Sequence, residues 1–123
     1  MKIGIVGSRR RTRHEDYLKL LDGFESLYVQ QPIGTHMEIV SGGCPTGADS
    51  WAEDIAEEFN IKIVIHTAEW NEHGKGAGII RNTSIAKDSD ILIALPSEDR
   101  TGGTEDTIKK FMKFHPTGEL ILI

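Results

Sequence analysis

The sequence predicts a doubly wound α/β fold on a five-stranded parallel sheet, and three observations carry that expectation. Short apolar runs rich in β-branched residues alternate with segments of helical periodicity, the pattern of consecutive βαβ units. The second, third and fourth runs are nearly continuous in apolar residues, as strands are when helices cover both faces of a sheet. No linker, low-complexity tract or internal repeat interrupts the alternation, so the 123 residues predict one domain.

The elements follow in order. Lys2 to Gly7 (KIGIVG) forms the first strand, and a helix from about Glu15 to Tyr28 follows. Its apolar positions Tyr17, Leu20, Leu21, Phe24, Leu27 and Tyr28 recur at three- and four-residue spacing. After the turn-forming Gln31-Pro32-Ile33-Gly34 stretch comes a second strand, Met37 to Ser41. The next helix has the clearest stripe: Ala48, Trp51, Ala52, Ile55, Ala56 and Phe59 share one face, while Asp49, Glu53, Asp54, Glu57 and Glu58 face away. Ile61 to His66 is the third strand, and a long polar loop from Thr67 to Gly78 leads to a helix around Ile79 to Lys87. Ile91 to Pro96 is the fourth strand. A loop containing Gly102 and Gly103 precedes a final helix carrying Ile108, Phe111 and Met112, and Glu119 to Ile123 is the fifth strand. Right-handed crossovers favour the order 3-2-1-4-5, which puts the ligand crevice beyond the carboxyl ends of strands 1 and 4.

Composition narrows the function classes. Hydrophobic residues at 38%, charged residues at 27% and 13 glycines describe a globular chain, and the single cysteine, Cys44, excludes an internal disulfide. With no secretory leader and no apolar run of membrane-spanning length, the expectation is a cytoplasmic protein with no membrane partner. The net charge of -5 argues against general nucleic-acid affinity, which needs an excess of Lys and Arg. That average hides an asymmetry, because Lys2, Arg9, Arg10, Arg11 and Arg13 all precede the first acid, Glu15. The remaining residues hold 9 bases against 19 acids, so the chain is an acidic body with a basic patch at the mouth of its first loop.

Each informative strand end carries glycine and hydroxyl residues: Gly7-Ser8-Arg9, Ser41-Gly42-Gly43 running on to Gly47-Ala48-Asp49, and Thr101-Gly102-Gly103-Thr104. Glycine permits close backbone approach, a following helix presents unpaired N–H groups, and hydroxyls add donors; together these suit a phosphate. Neither a Walker lysine loop nor the G-x-G-x-x-G fingerprint is present, which disfavours P-loop NTPases and ordinary NAD-dependent dehydrogenases.

The ordered set Gly7-Ser8-Arg9, Ser41-Gly42-Gly43, Gly47-Ala48-Asp49, Trp70, Gly78, Arg81-Asn82 and Gly102-Gly103-Thr104 resembles the SLOG superfamily, in particular its small YspA/YpsA-related branch. The resemblance runs over nearly the whole chain. It implies a Rossmann-like fold that binds nucleotides or nucleotide-derived ligands, with relatives that include DprA proteins, LOG phosphoribohydrolases and sensor domains. In LOG enzymes a glutamate follows the P-G-G-x-G-T loop and assists cleavage of an N-glycosidic bond. Here the loop is shortened, the position three after Thr104 is Thr107, and Glu105 and Asp106 fall out of register.

The leading expectation is therefore a binding protein, or sensor, for a nucleoside phosphate or ADP-ribose-like ligand. Phosphate is expected on Gly42-Gly43 and Gly102-Gly103-Thr104, with Arg81 and Arg9 neutralising charge. Asn82 contacts ligand or fixes the loop, Asp49 accepts ribose hydroxyls or caps its helix, and Trp70 forms a lid that stacks on a base or anchors its loop. Arg10, Arg11 and Arg13 are expected in solvent. The alternative is a nucleoside-phosphate N-glycosidase in which Glu105 or Asp106 stabilises the sugar cation, and their other role is to complement the helix dipole. Single-stranded DNA binding, as in DprA, is a weaker alternative. No metal and no cofactor are expected, since the histidines lack ligand spacing. The apolar last strand, lying at a sheet edge, points to a homo-oligomer, a dimer or higher.

Overall fold

The computed structural model describes residues 1–123 apart from the side chain of Lys75. Five strands, β1 (Lys2–Gly7), β2 (Glu38–Ser41), β3 (Lys62–Ile65), β4 (Ile91–Leu95) and β5 (Glu119–Leu122), pair in parallel in the order β3-β2-β1-β4-β5. Gly4 of the central strand is flanked by Val40 on one side and Leu92 on the other. The architecture is the Rossmann-like one that the alternation of strands and helices predicts.

The helices are α1 (His14–Gln30), α2 (Ala48–Glu58), α3 (Trp70–His73), α4 (Ala77–Asp88) and α5 (Gly103–Phe114), with a 3-10 turn at Gly74–Gly76. Strand alternation sorts the apolar side chains into two layers. Ile3, Ile5, Ile39 and Ile93 pack with Leu20 and Phe24 of α1 and with Ala52 and Ile55 of α2. On the opposite face, Val6, Val40, Leu92 and Ala94 pack with Ile85 and Ala86 of α4 and with Ile108 and Phe111 of α5. Phe24 and Phe111 are wholly buried, one in each layer. Truncating either to alanine removes packing of about 3–5 kcal/mol.

Local chemistry sets the helix ends. Asp16, in the first turn of α1, accepts the Arg13 backbone N–H at 3.3 Å, and Glu15 beside it complements the helix dipole. α1 ends at Gln30, two residues before Pro32, which cannot continue it. At the other end of the loop system, Gly7 closes β1 where α2 begins: a Cβ there would lie 2.6 Å from that of Ala48, so only glycine lets the helix start against the strand.

The structure corrects three expectations. β3 takes the edge position of the predicted order but is not buried on both faces as its apolar run suggests: Lys62 and Ile65 are exposed, because the helices cover it only partly. The Thr67 to Gly78 stretch is not an open loop: it contains α3 and the 3-10 turn, elements too short to leave a periodic signature. α4 also begins two residues earlier than its apolar pattern, at Ala77, which is almost wholly buried. The other edge, β5, leaves Glu119 and Leu122 exposed. Among the described residues no helix is long and apolar enough to cross a membrane.

Candidate functional site

A cavity of about 320 Å³ opens beyond the carboxyl ends of β1 and β4, where the outgoing helices α1 and α5 leave on opposite faces of the sheet. Val6, Gly7 and Ile85 line its base, and the loops after β1, β2 and β4, together with α4, form its walls.

The β1 wall is held by its own backbone. Ser8 donates its N–H to Leu95 O at 2.8 Å, its carbonyl accepts the Arg11 N–H, and its Oγ accepts the Arg10 N–H at 3.1 Å. Arg9 extends from this turn, exposed, and lines the cavity. The neighbouring arginines do not all run into solvent as expected. Arg11 is largely buried: its Nε pairs with Asp16 at 2.9 Å and its Nη1 donates to Pro96 O and Ile123 O. Arg10 reaches across to Asp99 at 2.7 Å and so bridges two walls of the site. Arg10, its side chain 69% exposed, and Arg13, exposed beside Glu15, keep the expected exposure.

The β2 wall brings Gly42 under the Arg81 guanidinium. A Cβ at Gly42 would lie 3.0 Å from Arg81 Nη1 and 3.0 Å from Asp49 Oδ2, so the glycine makes room for both groups. Asp49 Oδ2 accepts the Cys44 N–H at 3.0 Å, which folds the loop onto the start of α2. The residue in the helix N-cap position is Gly47, not Asp49. Gly43 and Gly47 have φ of +76° and +68° and shape the loop from behind without lining the cavity. Ser41 is buried at the end of β2, its Oγ without a hydrogen-bond partner, and it too lies outside the lining. Cys44 and Thr46 do line it.

From α4, Arg81 and Asn82 face the cavity. Arg81 donates from Nε to Asn82 Oδ1 at 3.1 Å and from Nη1 to Gly42 O at 3.4 Å, and among the described residues it has no carboxylate partner. Asn82 is buried and fully engaged, its Nδ2 donating to Gly103 O and to Asp106 Oδ2. It ties α4 to the first turn of α5.

The β4 wall is organised by Asp99, which sequence reasoning did not single out. Its Oδ1 accepts from Ser97 Oγ at 2.7 Å and from Thr101 Oγ1 at 2.8 Å, and Arg10 binds its other oxygen. The Arg10 guanidinium, then Ser97 and Thr101, hold the Asp99 carboxyl far below the usual carboxylate range. An Asp two residues before a Thr is the sequence signal of an Asx turn and was available to find it. Past this turn, Gly102 occupies the N-cap position of α5 with φ +94° and no side-chain cap. Because the first helical bond there is from Asp106 N–H to Gly102 O, the N–H groups of the preceding turn are free of helical partners. Gly102, Gly103 and the buried Thr104 line the cavity.

Beyond Ser41, Gly43 and Gly47, three more sequence candidates fall outside it. Glu105 is held by Arg100 in a two-pronged pair at 2.8 and 3.0 Å, which also lowers its carboxyl pKa. Asp106 accepts from Asn82 and from Lys110 at 2.9 Å. Neither carboxylate lines the cavity. Trp70 is 56% exposed on α3 and touches the Gly78 region rather than the cavity, so it is not placed to stack on a base there. The structure thus brings together Gly7, Ser8, Arg9, Gly42, Asp49, Arg81, Asn82, Gly102, Gly103 and Thr104. Among the described residues no three His, Cys, Asp or Glu side chains converge as a metal site.

Over 117 residues the chain is 30% identical to the Gene 61 protein of Mycobacterium phage D29, an alignment that spans 91% of this chain and 89% of that protein. The chain belongs to the Gene 61 protein family. The alignment covers nearly the whole α/β unit rather than a fragment of it. No family model and no solved structure matches the chain.

Proposed function

We propose that this protein binds a nucleotide or nucleotide-derived ligand, such as a nucleoside phosphate or ADP-ribose, in the cavity at the β1–β4 switch point, and acts as a SLOG-type binding or sensing protein. The observation that carries the reading is the meeting of Arg81, a half-buried guanidinium without a carboxylate partner among the described residues, with the uncapped first turn of α5. A guanidinium and free helix N–H groups are complementary to phosphate oxygens, and the Thr104 and Ser8 hydroxyls add donors. The cavity lies at the lower end of the roughly 300–1,000 Å³ common for small-ligand sites, which fits a ligand of nucleoside-phosphate size.

The N-glycosidase alternative assigns its chemistry to Glu105 or Asp106, and both carboxylates are engaged by cations outside the cavity. Binding is therefore the reading retained. In a thermal-shift panel of nucleoside mono-, di- and triphosphates, ADP-ribose and NAD, at least one member raises the melting temperature by binding the native state. Arg81→Ala weakens that ligand at least tenfold, since a charge-assisted contact contributes about 1.5–3 kcal/mol. An undiminished shift in Arg81→Ala removes the proposed site.

The same reading places the protein in the cytoplasm as a homo-oligomer. The unpaired outer edge of β5, with Leu122 48% exposed, is the kind of strand edge that a second copy covers. Gel filtration coupled to light scattering should give at least twice the 13.6 kDa chain mass, and a monomer at all concentrations refutes the oligomer.

A further inference from the structure

The two helix layers differ in the charge they show to solvent. On α4 and α5 the exposed charged residues are Lys87, Lys109 and Lys113, and no carboxylate is among them. Each acid of these helices is engaged by its own neighbours: Asp88 by Lys2 and His66, Glu105 by Arg100, and Asp106 by the half-buried Lys110. The opposite layer is the reverse. Besides Glu15, which pairs with Arg13, α1 and α2 expose Asp22, Glu25, Glu53, Asp54, Glu57 and Glu58 against a single exposed lysine, Lys19. The field of these carboxylates reaches inward: burial, then the charges of Glu58, Asp54 and Glu25, raise the Tyr17 phenol above its ordinary pKa.

Each layer also carries exposed apolar side chains among its charges. On α5, Lys109, Met112 and Lys113 recur at three- and four-residue spacing and so share a face. Phe114 lies beneath the Lys87 ammonium, 5.2 Å from the ring centroid, and Ile79 and Ile80 add apolar surface at the start of α4. On α1, Leu18, Asp22, Glu25 and Val29 form one stripe by the same spacing.

We propose that the α4–α5 face is a docking surface for a second copy of this chain, which presents its acidic α1–α2 face to it. Lysines then meet carboxylates, and apolar side chains on both sides leave water. Like faces repel, so a two-fold contact of either layer with itself is disfavoured. Because the two layers cover opposite sides of the sheet, one copy can hold a neighbour on each, and the contact adds copies in a row instead of closing at two. It is separate from the β5 edge and leaves the cavity at the strand ends uncovered. An anionic membrane fits this face less well, since lipid-binding patches use about 4–8 Lys and Arg where α4 and α5 expose three lysines. Helices of 12 residues, about 18 Å long, offer a small face, so the contact is weak and sensitive to salt.

Light scattering of the full chain over a concentration series tests the proposal. At about 0.1 M salt the screening length is about 10 Å, which hides the net charge of -5 between the centres of two copies but not charges in contact; at about 1 M those too are screened. The weight-average mass at the highest concentration should fall by about 1.5-fold or more between the two conditions. Lys109→Glu with Lys113→Glu spoils the basic face, and Glu53→Lys with Glu57→Lys spoils the acidic one. Each pair should hold the chain at its high-salt mass while keeping the wild-type melting temperature within a few degrees; where the first pair unfolds the chain, Lys109→Gln with Lys113→Gln takes its place. An equimolar mixture of the two variants retains one intact face of each kind, so it should reach twice the mass of either alone and grow no further. A wild-type mass indifferent to salt, a variant that assembles like wild type, or a mixture no heavier than its components overturns the interface. Assembly that persists in both variants leaves the β5 edge as the contact. Binding to phosphatidylglycerol vesicles that Lys109→Glu with Lys113→Glu abolishes, without self-association, gives the face to a membrane and overturns the second copy.

Discussion

The helices α2 and α5 begin alike and end up with different tasks. Each starts on a glycine of positive φ, Gly47 at +68° and Gly102 at +94°, and neither has a side-chain cap. At α2 the protein closes over its own helix start. Asp49 folds back to the Cys44 N–H, and a Cβ on Gly47 would lie 3.6 Å from Arg11 O and 3.8 Å from Ser8 O. At α5 nothing lies within 4 Å of such a Cβ, Gly102 is exposed, and the first turn opens onto the cavity. One glycine signal therefore serves packing in one place and access in the other, and the difference lies in what the rest of the chain puts beside it.

The sharpest test of that difference is to substitute both glycines. Gly47→Ala and Gly102→Ala each force alanine into a backbone region that essentially only glycine occupies, at a cost of about 1–3 kcal/mol in chemical denaturation. Only Gly102→Ala should also weaken the ligand found in the thermal-shift panel. Equal losses of affinity in both variants would erase the distinction. A smaller effect comes from Asp49→Ala, which loses about 1 kcal/mol of stability with the bond to the Cys44 N–H and yet tightens anion binding, because it removes a carboxylate from the lining. Weaker anion binding in that variant would give Asp49 a direct role in holding ligand.

The smallest effect separates the two loops by pH. Asp99 has its folded-state pKa depressed, chiefly by Arg10, so its contribution to stability is fully present above its unfolded value and is lost as pH falls through the folded one. Wild type should exceed Asp99→Asn in stability at neutral pH, with the gap constant down to about pH 4 and closing below it. A gap that closes between pH 7 and 5 would mean that another group titrates in its place.

Much of this was legible in the sequence, and the parts that were not share a physical cause. Strand order followed from apolar runs and crossover handedness, and Gly42, Arg81 and Gly102 to Thr104 were placed at the cavity by lying at strand ends or near a helix start. The burial of Arg11 is not legible in the sequence because its partners, Pro96 O and Ile123 O, are carbonyls far along the chain that leave no mark on residue type. Nothing in the sequence marks the ion pairs of Glu105 and Asp106, because the cations that hold them, Arg100 and Lys110, look there like ordinary surface charge. Trp70 drew attention as a large aromatic residue in a polar stretch, but the short helix that carries it turns it away from the cavity. Residue chemistry was readable throughout; which partner each polar group would meet across the fold was not.

The bridge from Arg10 to Asp99 joins residues 89 positions apart, and Arg11 to Ile123 spans 112. During synthesis, β1 and its loop therefore emerge long before the segments that complete their side of the cavity. Contacts so distant in sequence form late, since a long loop must close before they stabilise anything. The site is consequently a late marker of folding: a nascent chain stalled after α4 can pair β1 with β2 and β2 with β3, but it has neither the β4 wall nor the α5 turn that the proposed phosphate would meet.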